Sequence, residues 1–335
     1  MLSALRGYLV FPPSKRLLAN SLGYSLKALT FLCKDLGENS ETYYTLIRIP
    51  KGNGKFRKVY RVDSRLKLVH SRIKSLLEER LPATGSSYAY EPGCTVAAGA
   101  SRMDSHKLLV SVDFKDHFSS VTMWQVTKTL EAAGAKPEVA FMIARLSCIT
   151  KGKRSFLPQG SEISPLLSNR VSEHLLDPVL EQAFPAATIT RYSDNLYFGF
   201  DTNLVSGVNV ISKVREIVRM ETGWRCHKCR IMPYYRRQRG LGLVLNQGAN
   251  MPREKYLALK ALLYNLANKD PEQELARARE EFGFEELSVG ELLISLAGQV
   301  SYWRQFLSPA KHNKLTQLLQ KAKERNDGKN NSNGS

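Results

Sequence analysis

KLLVSVDF, residues 107–114, is an apolar run that closes on a carboxylate and an aromatic ring. A mostly apolar run of this length reads as a buried strand. An unpaired carboxylate at its end would be costly, so Asp113 needs a partner. A second carboxylate in similar surroundings is Asp194, within RYSDNLYFGF, residues 191–200. That stretch belongs to a hairpin over 188–200 with Ser193-Asp194 at its tip. Between the two, the pattern predicts helices at roughly 121–133 and 137–147, a basic hairpin around Lys151-Gly152-Lys153-Arg154, and a helix of about 20 residues from Ser164. A helix over about 204–221 and short strands over 224–246 follow. The order β–α–β–β–α–β from residue 107 is the split βαβ, ferredoxin-like arrangement. There the two strand regions are neighbours, and both carboxylates can meet at one sheet edge.

Carboxylates that converge usually hold a cation, and oxygen-only ligands suit Mg²⁺. Two such ions about 3.5–4 Å apart can activate a hydroxyl and stabilise a leaving pyrophosphate. Taken singly, Asp113 also reads as a helix cap and Asp194 as a turn residue.

Upstream, residues 14–37 read as one or two basic amphipathic helices, with Leu17, Leu18, Leu22, Leu26, Leu29 and Leu32 near helical spacing. Strands at 44–49 and 56–62 flank a turn at Pro50-Lys51-Gly52-Asn53-Gly54, a strong hairpin signal. Asp63 or Ser64 can cap a helix running to about Leu81. Past Pro252 the pattern is helical to about Arg325, and the polar tail 326–335 is expected to be disordered.

Lys and Arg number 49 against 31 Asp and Glu, a formal net charge of +18. An excess that large points to a polyanion, because each phosphate neutralised releases counterions. No apolar run approaches a membrane span and no signal-peptide pattern opens the chain, so an intracellular, cytoplasmic protein is expected. Five scattered cysteines suit a reducing compartment. Cys226-His227-Lys228-Cys229 invites a zinc reading, but no second Cys or His pair follows at finger spacing, and two half-buried residues near a strand is the preferred reading.

VSVDFKDHF resembles the first catalytic motif of reverse transcriptases, LPQGSEISPLLSN (157–169) their LPQG…SPxLSN motif, and RYSDN their RY-x-D-D box. With IPKGNGKFRKVY ahead and GLGLVLN behind, the resemblance covers about residues 45–246, and LISLAGQVSYWRQFLSP is similar to the helix after the palm in retron and group II intron enzymes. The fold implied is α+β: a right-hand polymerase with an N-terminal helical extension (1–40), fingers (41–106), a ferredoxin-like palm (107–250, with a finger insertion at about 137–165) and a helical thumb (251–325).

The resemblance implies RNA-directed DNA synthesis with two Mg²⁺ ions held by Asp113, Asp194 and Asn195. It places Lys51, Arg57, Phe114, Phe118, Gln159 and Gly160 at the nucleotide, with Phe118 as the gate against a 2′-hydroxyl. Ser164, Lys153, Arg154 and Tyr192 are expected at the nucleic acid. Arg and Lys donors beside a Gly-rich hairpin can reach triphosphate oxygens, which agrees with that placement. Implied partners are a structured non-coding RNA, deoxynucleotides, the DNA product, and a partner effector or second polymerase protein, in anti-phage defence. No membrane partner is implied.

The chain departs from the pattern in several places. Asn195 stands for the second acid of the box and loses one negative charge; Asp116 is a fallback ligand. Arg230 occupies the place of a proton-donating Lys; a guanidinium stays protonated, so it stabilises charge rather than donates. His227 and Lys228 are alternatives nearby. Glu162 and Ile163 replace a small-Pro-Thr run, His106 alone suggests the retron Asn-Ala-x-x-His element, and Gly240-Leu241-Gly242 replaces Val-Thr-Gly. Two other readings follow: untemplated or protein-primed DNA synthesis, and a catalytically decayed RNA-binding scaffold.

Overall fold

The computed structural model describes residues 10–50, 56–81, 85, 87–282 and 288–332. Ser14 and Ser25 accept the N–H groups of Leu17 and Ala28 and so start α1 (Lys15–Ser21) and α2 (Leu26–Glu38). Gly23, at φ +69°, turns the chain between them. Strands β1 (Tyr44–Pro50) and β2 (Phe56–Val62) pair antiparallel, from Tyr44 opposite Val62 to Pro50 opposite Phe56. The turn that joins them, with Lys51, lies outside the described residues. Asp63 then caps α3 (Ser64–Arg80), and α4 (Val96–Met103) follows.

The next stretch forms the α+β body: β3 (Leu108–Phe114), α5 (His117–Ser120), α6 (Met123–Ala132), α7 (Pro137–Ser147), the hairpin β4 (Ile149–Lys151) and β5 (Arg154–Phe156), α8 (Ser164–Leu175), α9 (Asp177–Ala183), β6 (Thr188–Tyr192), β7 (Asn195–Phe200), α10 (Gly207–Thr222) and β8 (Cys226–Pro233). Its four-stranded antiparallel sheet runs β6-β7-β3-β8, the split βαβ order that the sequence predicts. The single helix expected from Ser164 is instead two. Pro178 has no N–H to donate and its ring crowds the preceding turn, so the helix breaks at Leu176 (φ −120°, ψ −52°).

Strand periodicity decides the sidedness of this sheet. Leu108, Val110, Val112 and Phe114 share one face with Leu196, Phe198 and Phe200, and all join a core with Val126, Leu130, Leu167, Val171, Val210 and Val214. The opposite face carries Ser111, Asp113, Tyr197 and Asn195. The apolar residues of β3 thus anchor the strand, while the intervening ones are left to the site.

The chain divides into two compact units, Met1–Tyr234 and Tyr235–Ser335. The second holds the short pair β9 (Arg239–Gly240) and β10 (Leu243–Val244), then α11 (Arg253–Asn268), α12 (Pro271–Phe282), α13 (Val289–Trp303) and α14 (Pro309–Ser332). A capping box of Ser288 and Glu291 starts α13. Leu259 and Leu263 of α11 are buried, as are Leu315 and Leu318 of α14, which packs against it. α14 runs to Ser332 where a disordered tail from 326 was expected, since extending a nucleated helix adds one hydrogen bond per residue ordered. Among the described residues no helix is long and apolar enough to cross a membrane.

Candidate active site

Asp113, the last residue but one of β3, stands directly opposite Asn195, the first residue of β7. Directly paired residues point to the same face with Cβ atoms roughly 4.5–5.5 Å apart. The Phe114 N–H donates to the Asp194 carbonyl at 2.8 Å, which holds the hairpin tip to the end of the same strand. Asn195 Nδ2 donates to Asp194 Oδ1 at 2.9 Å. The turn is tight because Tyr192 pairs with Asn195, leaving Ser193 and Asp194 as a two-residue loop. Ser193 adopts φ +58°, the left-handed conformation that such a turn asks of its first residue.

Beside Asp113, the β3–β8 register slips: Val112 faces Cys229, but Phe114 faces Cys226. His227 and Lys228 therefore both stand opposite Asp113, a bulge of the kind that re-aims side chains. Arg230 is exposed opposite Ser111, on the Asp113 face and about 7 Å along the strand. The oxygen donors at this edge are two carboxylates and a carboxamide, a hard set that fits Mg²⁺. Among the described residues no group of three or more His, Cys, Asp and Glu gathers as a metal cluster. Asp116 is exposed, at the left-handed start of α5.

A cavity of about 590 Å³ brings together four residues expected at a nucleotide: Arg57, Phe118, Gln159 and Gly160. Ile49, Pro50, Val59, Tyr90, Ser161 and Pro165 complete its lining. The turn that carries Gln159 is clamped to β2, since the Tyr60 N–H donates to the Gln159 carbonyl at 2.7 Å. Gly160, at φ +109°, lies so close that a Cβ would fall 2.5 Å from the Tyr60 oxygen. Beneath it, buried His70 contacts the Leu146 carbonyl through Nε2 at 2.8 Å and Ser161 Oγ through Nδ1 at 2.9 Å. A carbonyl only accepts, so Nε2 carries the proton and the Ser161 hydroxyl donates to Nδ1. Burial pushes the His70 pKa down to about 4.

Two expectations are corrected by burial. The Phe114 ring is enclosed, 5.3 Å from the His117 ring and 5.4 Å from Trp224, so its side chain is not open to a nucleotide. Ser164 is fully buried and its hydroxyl donates to the Pro158 carbonyl at 2.8 Å, which holds the Gln159 turn rather than a nucleic acid. Lys153 and Arg154 are exposed on the β4–β5 hairpin, and Tyr192 is half-buried. Cys226 and Cys229 are half-buried on β8, with burial pushing the Cys226 thiol up to about 11.

Sequence reasoning missed two features behind the site. His117 is buried among Phe114, Phe118 and Trp224, neither ring nitrogen has a hydrogen-bond partner among the described residues, and burial lowers its pKa to about 3. The second is a buried ionic network. Arg191 binds Asp177 through Nε and Nη2, Arg170 bridges Glu91 and Glu173, and Asn169 donates to Glu91 Oε1 at 2.8 Å. Burial pushes the Glu173 carboxyl up, against the pull of Arg170 and Arg191. Its members lie among other polar residues in both segments (SNRVSEHL and TITRYSD), so no local signal marked it.

A family model described as "Reverse transcriptase (RNA-dependent DNA polymerase)" matches residues 49–244. The retron Mx162 reverse transcriptase of Myxococcus xanthus is 28% identical over 297 residues, covering 78% of this chain and 60% of the relative. The retron Mx65 reverse transcriptase of the same organism is 26% identical over 277 residues, covering 75% and 62%. The chain thus spans about three fifths of the length of these curated relatives. Among solved structures, apo telomerase of Candida tropicalis truncated from its C-terminal domain aligns over 68% of this chain and 61% of its own, at 10% identity and a TM-score of 0.43.

Proposed function

The chain belongs to the reverse transcriptase (RNA-dependent DNA polymerase) family, and on that premise we propose that it synthesises DNA on an RNA template. The observation that carries this reading is the pairing of Asp113 with Asn195 next to Asp194, on the same body as a cavity lined by Arg57, Phe118, Gln159 and Gly160.

Asp113, Asp194 and the Asn195 carboxamide oxygen would hold Mg²⁺, which when bound favours the ionised 3′-hydroxyl and offsets charge on the leaving pyrophosphate. The chain's own residues supply position and charge. Arg57 offers a planar guanidinium to phosphate oxygens. Phe118 presents a ring where a 2′-hydroxyl would otherwise fit. Gly160 lets its turn seat against β2 on the cavity wall, and Gln159 offers the nucleotide a carboxamide. The new bond forms between the primer 3′-oxygen and the α-phosphorus as the bond to pyrophosphate breaks. Arg230, on the Asp113 face, adds positive charge without giving up a proton.

In the same reading residues 41–106 act as fingers, 107–250 as palm and 251–325 as thumb. The template is a structured non-coding RNA, supported by the +18 net charge and by the similarity to retron enzymes. A role in anti-phage defence follows from the resemblance and is tested by phage plating with and without an active site. Primer extension with purified protein, a primed RNA template, deoxynucleotides and Mg²⁺ tests the chemistry. Incorporation by the wild type that Asp194→Ala abolishes is the expected result. Incorporation that survives Asp194→Ala overturns the site, and a protein that binds RNA without incorporation is a scaffold. Incorporation without added template would favour the untemplated alternative.

A further inference from the structure

We infer that Tyr90 is a positioning residue of this site: its phenol ties the wall of the nucleotide cavity to the tip of the Asp194 hairpin. The inference rests on the polymerase reading and names a residue outside the motifs that led to it.

Tyr90 lines the same cavity as Arg57, Phe118 and Gln159. Its hydroxyl lies 3.1 Å from Ser193 Oγ, and Ser193 immediately precedes Asp194. Both residues hold left-handed backbone, φ +62° for Tyr90 and φ +58° for Ser193. That conformation is uncommon outside glycine and persists where surrounding contacts over-determine it.

The loop around Tyr90 is fixed on both sides. Before it, the Tyr88 N–H donates to the Arg191 carbonyl at 2.9 Å, and Ser87 bridges Arg191, the first residue of the RYSDN segment. After it, Glu91 accepts from Asn169 and from both Nη atoms of Arg170. Tyr90 itself is 51% exposed, so the core does not require its ring. A rigid loop thus presents a half-exposed ring to the cavity and a hydroxyl to the hairpin. A nucleotide packed against the ring meets a wall whose far end holds the residue next to Asp194. The hydroxyl acts on Asp194 through Ser193, and the ring acts on the nucleotide directly.

The two roles separate in kinetics. Tyr90→Phe keeps the ring and removes the hydroxyl; Ser193→Ala removes the other half of the bond. Single-nucleotide incorporation on a primed RNA template with Mg²⁺ should show each lowering kcat about three- to tenfold, the weight of one hydrogen bond, with KM for the nucleotide unchanged. The double variant should be no slower than either single variant, because both remove the same contact. Tyr90→Ala should in addition raise KM. Melting temperatures within a few degrees of wild type in Tyr90→Phe and Ser193→Ala report that the fold is intact. Wild-type kcat in Tyr90→Phe, or a double variant whose loss is the product of the single losses, overturns the inference and leaves the polymerase reading standing. A wild type without incorporation overturns the polymerase reading and this inference with it.

Discussion

Asn169 Oδ1 accepts a hydrogen bond from Arg191 Nη1 at 2.7 Å, so the last residue of LPQGSEISPLLSN is joined to the first of RYSDN. Asp177 holds the same guanidinium, and Arg191 is fully buried. The two segments are therefore one structure: α8 and α9 carry the buried acceptors, Asn169 and Asp177, that seat the strand leading to Asp194. Removing Arg191 leaves the Asp177 carboxylate buried and uncompensated. Arg191→Ala is expected to cost about 3–5 kcal/mol of stability, and Asn169→Ala about 1–3 kcal/mol. Urea denaturation checks both, and losses under 1 kcal/mol for Arg191→Ala would mean the network is not what seats β6.

Gly160 can take its φ of +109° without penalty, and the space where a Cβ would sit is occupied by the Tyr60 oxygen and Val59 Cγ1. Backbone cannot swing aside as a flexible side chain can. Gly160→Ala is expected to push the Gln159 turn off β2, costing roughly 1–3 kcal/mol and raising KM for the nucleotide. A variant with wild-type KM would show that the cavity does not bind it.

His117 should make the protein acid-sensitive. Its folded pKa, about 3, lies below the unfolded value of about 6.5, so the unfolded chain binds the proton first as pH falls. Stability is then unaffected above the unfolded value and declines below it by about 1.4 kcal/mol per pH unit until the folded value is reached. His70, with a folded value of about 4, adds a parallel loss. His117→Phe is expected to remove one proton's share of the slope between pH 6 and pH 4.5. Denaturation curves at several pH values measure it, and an unchanged slope would place the imidazole in contact with water.

Asn195→Asp replaces an amide that donates to Asp194 with a carboxylate that repels it. The variant is expected to melt lower than wild type in chelator and to recover more on adding Mg²⁺. It should also reach half-maximal incorporation at a lower Mg²⁺ concentration, since a third charge strengthens the donor set. Thermal melts across a Mg²⁺ titration separate the two effects; equal responses in variant and wild type would remove Asn195 from the metal site.

Phe118→Ala is expected to admit ribonucleotides, because the ring on the cavity wall no longer excludes a 2′-hydroxyl. The ratio of ribo- to deoxynucleotide kcat/KM measures this. An unchanged ratio would make Phe118 a packing residue alone.

The sequence by itself determined the sheet and the place of its acids. KLLVSVDF and RYSDNLYFGF carry strand periodicity and turn chemistry, both set by neighbours a few residues away, and the order of elements matches the split βαβ sheet in which Asp113 meets the Asp194 hairpin. Gln159 and Gly160 were marked by the resemblance of LPQG to a known motif, not by periodicity. Tertiary structure alone decided which of the remaining polar residues find one another. Glu91 reaches Asn169 across 78 positions and Tyr90 reaches Ser193 across 103, and neither has a local signature. The bulge that sets His227 and Lys228 opposite Asp113 is a property of two paired strands, absent from either alone. The burial of Phe114 and Ser164 likewise depends on what packs over them. Periodicity says which face a side chain takes; its partner on that face depends on how distant segments pack.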